Sequence, residues 1–548
     1  MKRHRYISLN GKVALLFMLF GMFSCQNFLD VAPKDQISDT SVWTDTGTAD
    51  LFLNNVYSGI PGPFNFFDPW ENYTDNSMNG VNGLDSRVLY SPSVYTPSNA
   101  PNWWNQYANI RRANLFIEKV TASTLPEAWK KSKIAEARFL RAYYYQLLWT
   151  AHGGVPIITK TLNQNTQGEA IFQARNTDEE TYKFIVDECA AIAEDLPLKA
   201  EAARVSKASA LTLKGFCELF WASPLKNTTN DKTRWAAAAA TNKQVIDLGS
   251  HSLFANYETQ FYEDNNNNVE VIFAKQYLGG TALGSGKEGL WGPWMVGGVQ
   301  KAYGGVDPSQ ELVDEYAMAN GLPITDPASG YDPQNPYVNR EKRFYQSIVY
   351  DGSIWVGAEM IMKQGVGSRN ATDLSNTNEA TNTGYYLRKT LNPKYTVNGN
   401  NLLNSGSFII YRLAEVLLSY AEAQNEAVGP DASVYTAINQ VRARSELPAL
   451  KTGLTQDQMR VAIQRERRVE LAFEERRWFD LIRLKLAEKN LNGTLHAMKI
   501  EVVNGKTVYT VIPAPEGTKI FYANKNYLLP IPQSAMNQNT KLVQNPNY

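Results

Sequence analysis

The stretch Met459–Lys485, MRVAIQRERRVELAFEERRWFDLIRLK, constrains this chain more than any other. It holds neither proline nor glycine and consists mostly of good helix formers, so helix is the expected local structure. Val469, Ala472, Phe473, Phe479 and Ile482 recur at helical steps, which lets one stripe face a core. The charges keep the same period. Arg467 stands three before Glu470, Glu474 three before Arg477, Arg476 four before Asp480, and Asp480 three before Arg483. On an exposed helix such pairs contribute only about 0.3–0.5 kcal/mol each. With Phe473, Trp478 and Phe479 set among them, part of the network is expected to be buried and paired, fixing how neighbouring helices dock. The competing reading is a solvated charged face.

The balance of 54 basic and 54 acidic residues argues against a nucleic-acid partner, which would call for a basic excess. Three cysteines are too few for a disulfide framework. Cys189 and Cys217 fall in helical stretches and read as core residues. Cys25 differs, because Lys2, Arg3, Arg5 and Lys12 precede an apolar run, Val13–Phe23, that is too short to span a bilayer. With Ser24 before it, the segment resembles a bacterial lipoprotein signal, residues 1–24, with cleavage before Cys25 and acylation of that residue. Met22 and the bulky Phe23 depart from the usual pattern, and an ordinary secretory signal is the alternative. Residues 25–40 are polar and read as a tether, and 41–548 as a single domain.

Helical patterns are expected at Ala49–Tyr57, Trp103–Val120, Glu127–Ala151, Asp178–Leu196, Ser206–Ala222, Trp235–Leu248, Phe408–Ala427 and Asp431–Ser445. Ser206 and Asp431 are N-cap candidates, and Gly153–Gly154 and Pro224 mark stops. Pro308–Met318 and Arg340–Val349 read as short helices. Small residues at Ala208, Ala210, Gly215 and Ala222 suit close-packed, tetratricopeptide-like hairpins, although no clean repeat is visible. Minor β-structure is expected as a strand at Glu270–Ala274 and a hairpin over Lys499–Val511 around Asn504–Gly505. The scaffold is thus assigned mainly to 102–250 and 408–488. Two stretches, 60–101 and 278–405, lose the helical period. The first carries Phe64, Phe66, Phe67, Trp70, Tyr73, Tyr90 and Tyr95; the second has ten glycines between Gly279 and Gly305. Long loops of this aromatic content are functional rather than disordered.

Several segments together resemble the SusD/RagB family: FLDVAPKDQIS, ENYTDNSMNG, EARFLRAYYYQLLWTAHGGVPII, TGYYLRK, FIIYRLAEVLLSYAEAQNEA with INQVRARSELPAL, ERRVELAFEERRWFDLIRLK and the closing LLPIPQSAMNQNTKLVQNPNY. The resemblance implies a mostly α, tetratricopeptide-like scaffold with an irregular, loop-rich ligand-binding side. It implies a lipid-anchored protein of the outer membrane, at the cell surface, that captures oligosaccharide for a SusC-type TonB-dependent transporter. Some members take peptides instead. In YTDN, similar to an acidic–Asn motif near the family's ligand pocket, the matching positions are Asp75 and Asn76, and Tyr73 beside them is a further ligand-binding candidate.

No catalytic constellation can be assembled. The four histidines show no metal spacing, no GxSxG elbow occurs, and Glu474 and Glu475 diverge on a helix too far to flank one glycosidic bond. No cofactor is expected. The oxygen-dense EDNNNN at Glu263–Asn268 lacks the spacing of a calcium loop and reads as a polar turn. Loop aromatics suit a sugar better, since a ring covers the apolar C–H face while polar side chains bond the hydroxyls. Trp103, Trp291, Trp294, Tyr303 and Trp355 are the stacking candidates, and Asp75, Asn76 and Arg369 the polar ones. Arg138 and Arg141 read as paired structural arginines. A tetratricopeptide scaffold that binds only protein is the remaining alternative. It differs in whether the aromatics of the two loops converge on one exposed patch.

Overall fold

The computed structural model describes residues 42–63, 69–80, 91–201, 204–364, 381–395 and 403–548. Helical periodicity is realised in α1 (Thr46–Ser58), α2 (Gln106–Ala122), α3 (Glu127–His152), α4 (Asp178–Ile192), α5 (Lys207–Ala222) and α6 (Lys232–Asp247). It resumes in α7 (Leu413–Ala427), α8 (Ala432–Arg444), α9 (Gln456–Glu470) and α10 (Arg477–Arg483). Side-chain oxygens start these helices where the sequence offers them. Thr177, Ser206 and Thr455 close capping boxes at α4, α5 and α9, and Asp231 and Asp431 cap α6 and α8. Neighbours in sequence stack pairwise from α1 to α6, α6 packs on α7, and α7 on α8 and α9, giving the tetratricopeptide-like scaffold. Gly215 shows why small residues mark these contacts. A Cβ there would lie 2.9 Å from the Asn242 amide of α6. Phe139, Tyr144, Trp149, Leu213, Leu417, Ile438 and Ile463 belong to the core these helices enclose.

Strands are few, and among the described residues every sheet has two of them: β1 (Val271–Lys275), β2 (Met295–Val296), β3 (Val299–Gln300), β4 (Ile354–Trp355), β5 (Ala358–Glu359), β6 (Phe408–Arg412), β7 (Gly493–Val503) and β8 (Lys506–Lys519) are its principal members. The helix expected over Phe408–Ala427 therefore starts five residues late. FIIYR instead pairs antiparallel with VIFAK of β1, because a short apolar run rich in β-branched and aromatic residues suits either structure until a partner strand decides. The β7–β8 hairpin turns at Asn504 and Gly505, with φ of 52° and 76°, the left-handed pair a tight two-residue turn requires. The irregular middle of the chain has its own core of Trp291, Tyr316, Phe344, Trp355 and Tyr385, joined by Val469 and Phe473.

The stretch Met459–Lys485 is not one helix. Between α9 and α10 the chain breaks, and Phe473 and Glu475 both take φ of 62°, which costs roughly 1–2 kcal/mol apiece for residues with a Cβ. Buried partners hold the break open. Lys389 Nζ donates to the carbonyls of Glu470 (2.9 Å) and Ala472 (2.8 Å) and to the Glu474 carboxylate (2.7 Å). The Phe473 amide donates to Glu71 and the Trp70 amide to Glu475, each at 2.7 Å. Arg412, at the end of β6, bridges Glu270, Glu470 and Glu474 at 2.7 Å, and Glu470 also receives Arg343 (2.9 Å) and Arg444. Of the four local pairs read from the spacing, Asp480–Arg483 forms, at 2.9 Å. The others choose distant partners: Arg467 takes Asp480 (2.8 Å), Arg476 takes Glu415 (2.8 Å) and Arg477 takes Asp75 (2.7 Å). Arg467, Glu470, Glu474, Arg477, Asp480 and Arg483 are buried and do not form a solvated face, and Arg476 is partly buried.

Candidate functional site

The motif YTDN lies where this break meets the first loop. Trp70–Tyr73 forms one turn of 3₁₀ helix, and the Trp70 ring stacks on Trp478 with centroids 5.2 Å apart. Asp75 accepts both guanidinium nitrogens of Arg477 and the Asn490 amide, all at 2.7 Å, and stands 3.1 Å from Arg468. Burial opposes its ionisation, yet Arg468 and Arg477 outweigh burial and hold the carboxyl well below the usual carboxylate range. Asn76 accepts from Arg468 (2.9 Å) and donates to Glu71 (3.0 Å). Tyr73, Asp75 and Asn76 are each at most 2 % exposed. Expected as ligand contacts, they are enclosed here as a clasp between the first loop and the arginines of α9 and α10. Their hydrogen bonds are spent inside the molecule.

The first loop does reach the glycine-rich one. Ser77 and Met78 pair with Pro308 and Asp307, and the Asn72 amide donates to the Gly305 carbonyl at 2.9 Å. The aromatic rings do not follow. Trp70, Tyr73 and Tyr95 are buried in the helical core, while Phe64, Phe66, Phe67 and Tyr90 lie outside the described residues, as do Arg369 and Cys25. Trp103, at the mouth of α2, is buried in the same core. Trp291 ends a short helix, Lys287–Trp291, and points into the second core, so it shares no outward face with Trp294. Trp355 is also enclosed, with the Arg388 guanidinium 5.5 Å from its ring centre.

Two of the five stacking candidates remain near solvent, and they are neighbours. Gly297 and Gly298, with φ of 55° and 79°, make the turn of the β2–β3 hairpin. The Lys301 amide donates to the Trp294 carbonyl at 2.7 Å and continues the pairing past the strands. That register brings Trp294 and Tyr303 together at the base of the hairpin, rings edge to face, centroids 6.1 Å apart at 65°. Tyr303 is 39 % exposed, Trp294 is half-buried, and the indole N–H of Trp294 has no hydrogen-bond partner among the described residues. Beside them stands the β4–β5 hairpin. A Cβ on Gly297 would lie 3.5 Å from that of Ala358. Alternation along β4 turns Trp355 inward and Ile354 outward, and Ile354, Val356 and Val299 are exposed. The result is a surface of one tyrosine, one tryptophan edge and three aliphatic side chains on two tight turns. Of the carboxylates around it, Glu258 is paired with Arg388 (2.8 Å) and Asp351 with Lys363 (2.6 Å), while Glu359, opposite Ile354 on β5, is exposed. Sequence reasoning found Trp294 and Tyr303 but missed the aliphatic half, whose signal was apolar residues flanking the turn at Val356–Gly357.

The SusD family model matches residues 269–548, and a model described as starch-binding associating with outer membrane matches residues 27–214. SusD-like protein P38 of Formosa agariphila is 25 % identical, covering 89 % of this chain and 93 % of its own. A SusD-like protein of Bacteroides ovatus is 25 % identical over 97 % of each. Among solved structures, a SusD-like carbohydrate binding protein from Bacteroides fragilis superposes with a TM-score of 0.77 at 27 % identity, covering 92 % of this chain and all of that one. A laminarin binding SusD-like protein shares the fold, with a TM-score of 0.68 at 23 % identity, over 92 % of this chain and all of that one.

Proposed function

This chain belongs to the SusD family, and on that premise we propose that it is a surface lipoprotein, anchored in the outer membrane through Cys25. In this reading it captures a neutral oligosaccharide and delivers it to a SusC-type TonB-dependent transporter, without altering it chemically. The observation that carries the glycan reading is the exposed Tyr303 ring braced edge-on by Trp294. An aromatic face held by a glycine turn covers the apolar face of a pyranose while little conformational freedom is lost on binding. The exposed Val299, Ile354 and Val356 widen the apolar surface, which is the kind of patch a soluble domain keeps for a ligand.

Calorimetric titration against starch-derived and laminarin-derived oligosaccharides tests the site. Tyr303→Ala is expected to weaken the ligand several-fold to about tenfold, with melting temperature unchanged, from the roughly 0.5–1.5 kcal/mol that ring stacking adds. Wild-type affinity in Tyr303→Ala and Trp294→Ala alike would overturn the assignment, and binding confined to peptides would move the ligand class. The anchor is tested by membrane fractionation, where Cys25→Ala is expected to release the protein or leave its signal uncleaved. Unchanged fractionation with a normal mature N-terminus overturns it.

A further inference from the structure

On the scaffold, among α5, α6, α7 and α9 and the turn after α10, lies a cavity of about 520 Å³. It is in the size range of small-molecule pockets, roughly 300–1,000 Å³. Its apolar lining is Pro224, Trp235, Leu484 and Leu486. The charged side chains around it neutralise one another: Glu422 is bidentate with Arg483 (2.5 and 2.7 Å), and Glu426 with Arg460 (2.6 and 2.7 Å). What remains open for bonding is uncharged. Among the described residues the Gln464 amide and the Thr228 hydroxyl make no hydrogen bond, and Asn230, whose side-chain oxygen accepts from the Trp235 indole at 3.0 Å, donates its NH₂ to none of them. Ala222 and Trp235 in this lining belong to the helical core, with Leu486 packed against it, whereas Trp294 packs against the second core of the irregular region.

An apolar floor, balanced charge and a rim that both donates and accepts select an uncharged ligand with one apolar face and several hydroxyls. We propose that this pocket is a second carbohydrate site, taking one to three neutral sugar residues on the helical scaffold. For its ligand class it rests on the glycan reading of the loop surface. Two sites on one rigid chain would hold a long glycan at two points, raising the effective concentration of the second contact once the first has formed.

The probes are maltotriose, laminaritriose and the tripeptide Gly-Leu-Gly, followed by the indole N–H resonance of Trp235, assigned through Trp235→Phe, and by calorimetric stoichiometry. A trisaccharide is expected to shift that resonance in the wild type and in Tyr303→Ala, and not in Thr228→Trp, which fills the mouth from an exposed turn. Gln464→Ala is expected to weaken the same event about threefold to tenfold, the worth of one neutral hydrogen bond. An unmoved resonance while Tyr303-dependent sugar binding persists overturns the pocket and leaves the loop surface standing. A resonance moved by the tripeptide alone overturns the ligand class. A sugar-dependent shift alongside full affinity in Tyr303→Ala supports the pocket and removes the loop site.

Discussion

Glu71 is 2 % exposed, and its carboxylate faces the Asn76 amide and the Phe473 N–H. Burial pushes its carboxyl up to about 7, which those two donors and Lys389 only partly offset. An unfolded chain releases that proton near 4.5. The contribution of Glu71 is therefore fully present below pH 4.5 and is lost as pH rises to 7, by roughly 3 kcal/mol over the window. Urea denaturation across pH 4.5–7 is expected to show this slope in the wild type and a flatter one in Glu71→Gln, and equal slopes would refute it. Lys519, pushed down to about 7 by burial despite nearby Asp75, acts in a separate window, losing stability as pH falls from 10.5 to 7. Asp75 and Glu470, held low by their arginines, matter in a third, where stability is lost as pH falls below the ordinary carboxylate range. Sequence inspection singled out none of Glu71, Lys389 or Lys519. The readable signal for such groups was a lone cation in an apolar run, as Arg412 is in FIIYRLAEVLL.

At the scale of elements, helices with their own caps were legible. The Ser206 and Asp431 caps lie where the side chains dictate, because the start of a helix is a local matter. The break after Glu470 was not legible, since it depends on Glu71, Lys389 and Arg412, all far away in sequence. The β7–β8 hairpin is attached to the second core by another such contact. Gly384 has φ of 82°, and a Cβ there would lie 2.3 Å from the Met498 carbonyl, while the Met498 amide donates to Thr383 at 2.8 Å. Gly384→Ala thus meets a backbone clash in addition to roughly 1–2 kcal/mol of left-handed strain. Hydrogen exchange at Met498 is expected to accelerate in that variant; protection equal to the wild type would show that the hairpin is held elsewhere.

Across the whole molecule, Glu470 is where the two cores and the first strand pair meet, through Arg343, Arg412 and Arg444. Its removal takes a carboxylate from three buried cations at once, leaving Arg343 to Glu341 and Glu466, and Arg412 and Arg444 to share Glu270. Glu470→Ala is expected to cost about 3–5 kcal/mol or more in global unfolding, and a loss near zero in denaturant titration would mean that water already reaches the cluster. The candidate surface was half legible at this scale. Residue type picked out Trp294 and Tyr303, but whether a loop aromatic faces solvent or core is decided by which chain lies behind it. That fact enclosed Trp103, Trp291 and Trp355.

The clasp of Asp75 on Arg477 joins residues 402 apart, so the order of synthesis opposes the order of assembly. At about 5–20 residues per second, the first loop waits on the order of tens of seconds before its arginine exists. Over that interval Glu71, Asp75 and Asn76 have none of the partners supplied by the chain beyond Arg468, and long-range closure of this kind slows folding. The first loop therefore cannot close its clasp until α10 has been made, whereas the hairpins that carry Tyr303 and Ile354 are local. A chain stalled before its final third would hold α1–α6 with α6 unpartnered and the first loop unclasped.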